Sequence, residues 1–326
     1  MESPAFTSSQ VKSIGRAILE RQTNAIVRQR ILRDVLHLQP GNVDLEYSRT
    51  ELFSHPWVKE LSGEQLPSGS WGRFHSMDST FKARFPTTEV AIRRALALGL
   101  DKNHPVLERA VDFMQFILEG KTAWSDRVEK SEGWPIAVET ITAATLAQVD
   151  PFSPAIIPAW EYWVGIAIHS FPGGSYDRSA EWNAHKDQRG VGIHYLGSRY
   201  ALTLLGARSD LLPVSLDRQI AGWVWNNPAG MGYLGADLQH PEPFHIFHWL
   251  ESLEILSCFK GKETIARGAL AWLWEQRRPD GLWDFGARVS RSTYFPLSDD
   301  WRRKGNRSVD HSTRVLACIA AYDPGL

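Results

Sequence analysis

Cysteine is nearly missing from this chain: Cys258 and Cys318 are the two among 326 residues. That excludes a disulfide scaffold and a cysteine-rich zinc module. Excess charge of one sign is missing too. Lys and Arg total 36 against 37 for Asp and Glu, a formal net charge of -1. No basic surplus therefore recommends nucleic acid as a partner. No apolar run approaches the roughly 20 residues that a membrane helix needs. Residues Met1–Gln10 lack the apolar stretch of a secretory leader. The expectation is a cytoplasmic protein with no membrane span. Strand signals are absent as well, with no Val/Ile/Thr alternation and no Asn-Gly hairpin turn. Low-complexity linkers are absent, so residues 1–326 read as one domain, although the length would also allow two. The 43% hydrophobic and 22% charged content is that of an ordinary globular chain able to bury a sizeable core.

Tryptophan is plentiful, at 14 residues. Each supplies a large rigid apolar surface and one N–H donor. Three uses compete: wedges between repeated units, the lining of an apolar or carbohydrate pocket, and plain core. A recurring pattern bears on the choice: helix, turn, helix, then a glycine–aromatic loop. The clearest copy runs from Arg267 through Trp272, Leu273 and Gln276 to Gly281-Leu282-Trp283. Pro279 and Asp280-Gly281 end its helix. The second is Gln65-Leu66-Pro67-Ser68-Gly69-Ser70-Trp71-Gly72. Weaker copies are Gly120–Trp124 with Gly133-Trp134, Pro172–Tyr176 and Pro228–Tyr233. Glycine permits the tight turn, and a glutamine at the helix end can satisfy loop backbone groups.

Apolar spacing and proline starts predict one class of mostly buried helices over Pro86–Gly99, Pro135–Gln148, Gly190–Gly206, Pro243–Phe259 and Ser308–Tyr322. A second class alternates with it: Pro105–Leu118, Pro151–Ser170, Pro213–Trp225 and Lys262–Gln276. Pro151–Ser170 is apolar enough that a second subunit could cover it, but oligomeric state is not legible. Val11–His37 also reads as helical. The fold class expected is all-α: a single α/α toroid of about five to six hairpins, with N-terminal helices in 1–60 and the repeats in 65–322.

Arg267-Gly268, Trp272, Leu273, Gln276 and Gly281-x-Trp283 resemble the glutamine–tryptophan repeat of squalene and oxidosqualene cyclases. The same superfamily includes prenyltransferase β-subunits. Two residues, Trp274 and Glu275, separate Leu273 from Gln276, where the repeat usually has three. The resemblance spans about Gln65–Tyr322 and implies a toroid whose central cavity is lined by the N-terminal ends of the inner helices. It carries the chemistry less well. The cyclase motif Asp-x-Asp-Asp is absent, and Asp299-Asp300 is the nearest approach. Asp310-His311-Ser312-Thr313 resembles the zinc-histidine segment of prenyltransferases, yet Pro243–Glu251 offers no cysteine and Cys258 lies two to three turns deeper.

A toroid would bring five helix starts together. Asp310 and His311 could form an acid–base unit, or Ser308 or Asp310 could cap a helix. Glu139 lies in apolar surroundings that would raise its pKa and make it a proton donor, or it pairs with Arg93 or Arg314. His245 and His248 could face one side of a helix and shape the site. No cofactor is expected, although that His pair could hold a divalent metal if His194 or His311 joined it. His194, Tyr195, Glu89, Trp182, Trp249 and Arg314 are the substrate-binding candidates. Polar loops Tyr176–Arg189 and Arg288–Asn306, the latter with Arg291, Arg302 and Arg303, could form a rim for an anionic group, or are plain solvated loops.

Three functions follow. The first is an enzyme that protonates, isomerises or cyclises an apolar isoprenoid or lipid-like small molecule. The second is a carbohydrate-active lyase or hydrolase, with His194, Tyr195, Arg199 and Trp182 in a sugar cleft. The third is a ligand-binding toroid without catalysis. A deep apolar cavity would favour the first reading.

Overall fold

The computed structural model describes residues 6–21, 24–77, 84–227, 237–289 and 295–322. These residues are all-α, with no strand among them. Helix α1 (Ser8–Arg21) precedes α2 (Ala25–Arg30), which runs into a π turn (Ile31–Val35). Then come α3 (Val43–Phe53), α4 (Pro56–Glu64), α5 (Thr88–Leu98), α6 (Pro105–Leu118) and α7 (Trp134–Val149). They are followed by α8 (Ile157–Ser170), α9 (Arg178–Arg189), α10 (Arg199–Ala207), α11 (Val214–Asn226) and α12 (Ile246–Leu256). The last are α13 (Lys262–Ile265), α14 (Arg267–Glu275) and α15 (Lys304–Ala320). No helix is long and apolar enough to cross a membrane, among the described residues.

Local chemistry sets these boundaries. The Thr87 hydroxyl caps α5 by accepting from the Val90 N–H, and Asn24, Asn42 and Asp177 cap α2, α3 and α9 in the same way. Gly99, in the left-handed region at φ 95°, closes α5. Its end is held further by arginines of the α2 segment: Arg30 donates to the Ala97 carbonyl at 2.9 Å and Arg33 to the Gly99 carbonyl at 2.8 Å.

Two series of contacts organise the helices. In one, α5 touches α7, α7 packs on α10, α10 on α12, α12 on α15, and α15 on α2 and the π turn. In the other, α3 packs on α2, α6 on α5 and α7, α8 on α7 and α10, and α11 on α8. Helix α7 is nearly uniformly apolar and mostly buried. Its Thr140, Thr142 and Thr145 hydroxyls donate to carbonyls one turn back, which satisfies them inside the core. Helix α8 buries Ala159, Trp160, Tyr162, Trp163, Ile166 and Ala167 within this chain. Much of the apolar surface that could have called for a second subunit is therefore already covered.

The structure redraws three boundaries. Tyr176–Arg189 is not a loop, since Arg178–Arg189 is α9, buried through Glu181, Ala184 and His185. A buried face built from a carboxylate and an imidazole carries no hydrophobic signal. Gly190–Gly206 is not one helix: α10 begins at Arg199, capped by Ser198. Residues 190–198 pass so close to Trp182 that a Cβ on Gly192 would lie 2.0 Å from its ring. Helix α15 begins at Lys304, a turn before Ser308. Neither Ser308 nor Asp310 is its cap; Ser308 donates to the Lys304 carbonyl. Arg291 and the weak repeat copy Pro228–Tyr233 lie outside the described residues.

The two clear repeat loops share one hydrogen-bond pattern. Trp71 Nε1 donates to the Leu61 carbonyl at 2.9 Å, and Trp283 Nε1 to the Leu273 carbonyl at 2.7 Å. The Trp71 N–H reaches the Thr88 hydroxyl on α5, and the Trp283 N–H the Ser312 hydroxyl on α15, both at 2.9 Å. Gly69 donates to Leu66 and Gly281 to Arg278, again both at 2.9 Å. In the first loop Gln65 donates to the Gly69 and Val106 carbonyls at 2.8 Å. The residue at the same distance before Trp283 is Arg277, whose guanidinium lies 3.7 Å from the Trp274 ring centre. Gln276 is one position out of register, and among the described residues its side chain reaches the Trp272 carbonyl, at 3.4 Å.

Candidate active site

Residues 71–77 follow the first repeat loop and are stitched to the start of α5. Thr88 and Glu89, whose N–H groups have no partner within the helix, donate to the Arg73 and Phe74 carbonyls at 2.8 and 3.0 Å. The Asp126 carboxylate accepts the N–H groups of Phe74, His75 and Ser76. Phe74 is fully buried and stacks on Trp124, with ring centres 4.4 Å apart. The backbone carrying His75 is therefore held from two sides.

His75 Nδ1 lies 2.7 Å from Glu89 Oε2, and the Tyr200 hydroxyl donates to Glu89 Oε1 at 2.9 Å. The same hydroxyl is 3.3 Å from His75 Nδ1. Glu89 is buried, whereas the His75 side chain is 36% exposed. Burial pushes the Glu89 carboxyl up, but the His75 hydrogen bond and the nearby Arg199 and Arg93 outweigh it, and its pKa falls below the ordinary value. The His75 imidazole is raised, chiefly by its bond to Glu89 and against its partial burial. Burial, then Glu89, raises the Tyr200 phenol far above its usual value, so it stays a donor. The result is a histidine whose Nδ1 is held by a carboxylate and whose ring remains partly exposed.

One turn further along α5, Arg93 donates to Glu251 Oε1 on α12 at 2.7 Å, and Arg199 on α10 meets the same oxygen at 2.9 Å. Beyond this bridge, toward the C-terminal half of α5, lies a cavity of about 450 Å³. Arg30, Arg33, Arg93, Arg314, Asp101, Glu251 and Glu254 line it together with Leu96, Leu100, Phe247 and Phe295. A larger groove of about 790 Å³ runs past Tyr176, Glu181, His194 and Trp223. Its carboxylate is committed to structure: Glu181 accepts the Tyr195 and Leu196 N–H groups at 2.7 Å and the Tyr176 hydroxyl.

Of the residues singled out by sequence, Glu89 stands in the His75 cluster, Arg199 in the bridge to Glu251, and Arg93 and Arg314 on the cavity wall. The others are placed elsewhere. Asp310 accepts the Leu297 N–H at 2.8 Å and pairs with Arg314, whereas His311 Nδ1 accepts the Phe285 N–H at 3.1 Å. Neighbours on a helix point about 100° apart, so the two side chains address different loops rather than each other. Burial pushes the His311 imidazole down to about 3, which keeps it neutral between Phe247 and Phe285. Glu139 pairs with Arg189 of α9 at 3.1 Å, not with Arg93 or Arg314. His194 and Tyr195 lie in the loop clamped by Glu181, and Trp182 is 43% exposed with its ring 5.2 Å from that of His194. Trp249 is core rather than cavity wall: it is buried, packs on Trp272 and donates to the Leu238 carbonyl at 3.0 Å. His245 is exposed, with its ring 5.7 Å from that of half-buried His248. No third metal-ligating side chain joins them among the described residues.

Sequence reading missed His75 and Tyr200, because each becomes informative only beside Glu89. It also missed Glu254, because cavity residues were sought at helix starts and Glu254 is near the end of α12. Comparison with known proteins returns no matching family model, no similar curated protein and no similar solved structure.

Proposed function

We propose that the helices form a single α/α toroid enzyme carrying out acid–base chemistry on a small polar substrate, with His75 as the proton-transfer residue. Supporting the toroid is the contact circuit from α5 through α7, α10, α12 and α15 to α2, with Arg30 and Arg33 linking α2 back to the end of α5. The paired Trp71 and Trp283 loops add the resemblance to cyclases and prenyltransferase β-subunits. The observation that carries the chemistry is the His75–Glu89–Tyr200 cluster. Glu89 fixes the ring and favours its protonated form, leaving Nε2 to give or take a proton at the substrate. Tyr200 holds the other carboxylate oxygen. Arg93, Arg199 and Glu251 make the neighbouring surface charged.

That charge turns the substrate class from the bare isoprenoid expected of the superfamily toward a carbohydrate or similar polyol. The corresponding reactions are of lyase or isomerase type, with proton abstraction or donation at carbon or oxygen. The test is turnover of a panel of uronate oligosaccharides, neutral oligosaccharides and prenyl diphosphates by the full chain, His75→Ala and Glu89→Gln. A polar substrate should be turned over and lose 10²–10⁴-fold in His75→Ala, with the helical circular-dichroism signal unchanged. Turnover of a prenyl diphosphate would return the apolar reading. Turnover unaffected by His75→Ala would overturn the site.

A further inference from the structure

The 450 Å³ cavity is not accounted for by the His75 cluster. Arg93, Leu96 and Ala97 of α5 line it, with Leu100 and Asp101 just past the helix end. Ala97 is eight residues past Glu89, or about 12 Å of helix.

Its polar atoms are unevenly satisfied. Glu251 takes both Arg93 and Arg199 on Oε1, while its buried Oε2 has no hydrogen-bond partner. Asp34 is likewise shared by Arg30 and Arg33. Asp101 also answers Arg49, at 3.4 Å. Glu254 faces the cavity and is accessible from it, and no side-chain hydrogen bond holds its carboxyl among the described residues. Guanidinium groups that share their carboxylates retain attraction for a further anion. A buried carboxylate oxygen without a donor calls for an O–H or N–H. Phe247, Phe295 and Leu250 supply apolar wall between these groups.

We infer that this cavity is a binding site for a small hydroxylated organic anion, a sugar acid or sugar phosphate. The negative group lies toward Arg30 and Arg33, which share Asp34, and a hydroxyl donates to Glu251 Oε2. An inorganic anion meets only the first demand, and an apolar molecule meets neither. The cavity's size is within the range of small-molecule sites.

Glu254 sets the pH dependence. Enclosed deep among the helices yet open to the cavity, its carboxyl is pushed up to about 7 by desolvation, with Arg30 and Arg314 opposing and Glu251 and Asp34 adding to the rise. The groups around it are Arg30 and Asp34 of the α2 segment, Arg314, Cys318 and Tyr322 on the α15 side, Glu251 and Cys258 on its own side, and Arg33, Arg93 and Asp101 across the cavity. Burial keeps Cys318 and Tyr322 protonated, and the Cys258 thiol is raised as well. Asp34 stays ionised: burial alone would raise it, but Arg30 and Arg33 prevail. Glu254 therefore gains its charge near neutrality and repels an anion as pH rises.

Calorimetric titration of the full chain with gluconate, glucose 6-phosphate and inorganic phosphate, at pH 6 and pH 8, tests this. Gluconate or glucose 6-phosphate should bind saturably and at least tenfold tighter than phosphate, and gluconate, whose own charge is constant over this range, should bind several-fold tighter at pH 6 than at pH 8. Ala97→Phe, which fills the cavity, should abolish binding, and Glu254→Gln should remove the pH dependence. His75→Ala should bind like the parent chain, which separates this site from the acid–base reading. Should Ala97→Phe not fold, the Glu254→Gln comparison decides alone. The inference is overturned by no saturable binding of either compound, by phosphate binding equally well, by binding that survives Ala97→Phe, or by an unchanged pH dependence in Glu254→Gln.

Discussion

Exchanging Glu89 for glutamine keeps the size of the side chain and removes its charge. The bond to His75, at 2.7 Å between opposite charges, belongs to a class contributing about 1.5–3 kcal/mol. With 36% of the His75 side chain exposed, solvent screening cuts the pair's coupling to about 1–1.5 kcal/mol. Glutamine retains an acceptor for the Tyr200 hydroxyl but loses the attraction of Arg199 and Arg93, so Glu89→Gln alone should cost about 2–3 kcal/mol. A double-mutant cycle with His75→Gln, read by urea denaturation, isolates the coupling. Its pH course has a definite sign. The Glu89 pKa is lowered from 4.5, so its contribution is present above that value and is lost as pH falls through the folded-state pKa. The His75 pKa is raised from 6.5, so its contribution is present below that value and is lost as pH rises through the folded-state pKa. The coupling should therefore be greatest between about pH 4.5 and 6.5 and smaller at pH 9. A coupling that is negligible at pH 5.5, or no smaller at pH 9, would refute the ion-pair account.

The twin loops offer a matched comparison. Gly69 and Gly281 have φ of 90° and 81°, but a Cβ on Gly69 would lie 2.1 Å from the Arg109 carbonyl oxygen, and one on Gly281 meets nothing within 4 Å. Gly281→Ala should cost about 1–2 kcal/mol from left-handed backbone alone, and Gly69→Ala about 1–3 kcal/mol more from the clash; equal denaturation midpoints would contradict this. His311, pushed down to about 3, should show a neutral imidazole by NMR at all pH values above 4. Because the folded chain then binds fewer protons than the unfolded one below 6.5, His311 makes stability fall with acid from that point down.

Much of the local structure was legible. Pro105–Leu118 is α6 with those bounds, and Val214–Asn226 lies within a residue of its expected span. Where reading failed, the cause was specific. Helix α9 buries Glu181 and His185, so its inward face looked like a polar loop. Asp310 and His311 looked like one unit because adjacency in sequence was taken for adjacency in space, which a helix denies to successive residues. The glutamine of the C-terminal repeat was sought at Gln276, when the position equivalent to Gln65 carries Arg277.

The sequence by itself determined that the described residues are helical and where several helices start and stop. Caps, prolines and glycines act over a few residues and need no distant partner, as at Thr87, Pro105 and Gly99. Tertiary structure alone decided which titratable groups meet. Tyr200 reaches Glu89 across 111 residues, and Arg93 reaches Glu251 across 158. No local preference specifies such pairings, because they depend on how the helices pack. That packing turned Glu89, otherwise an ordinary first-turn carboxylate, into the partner of His75.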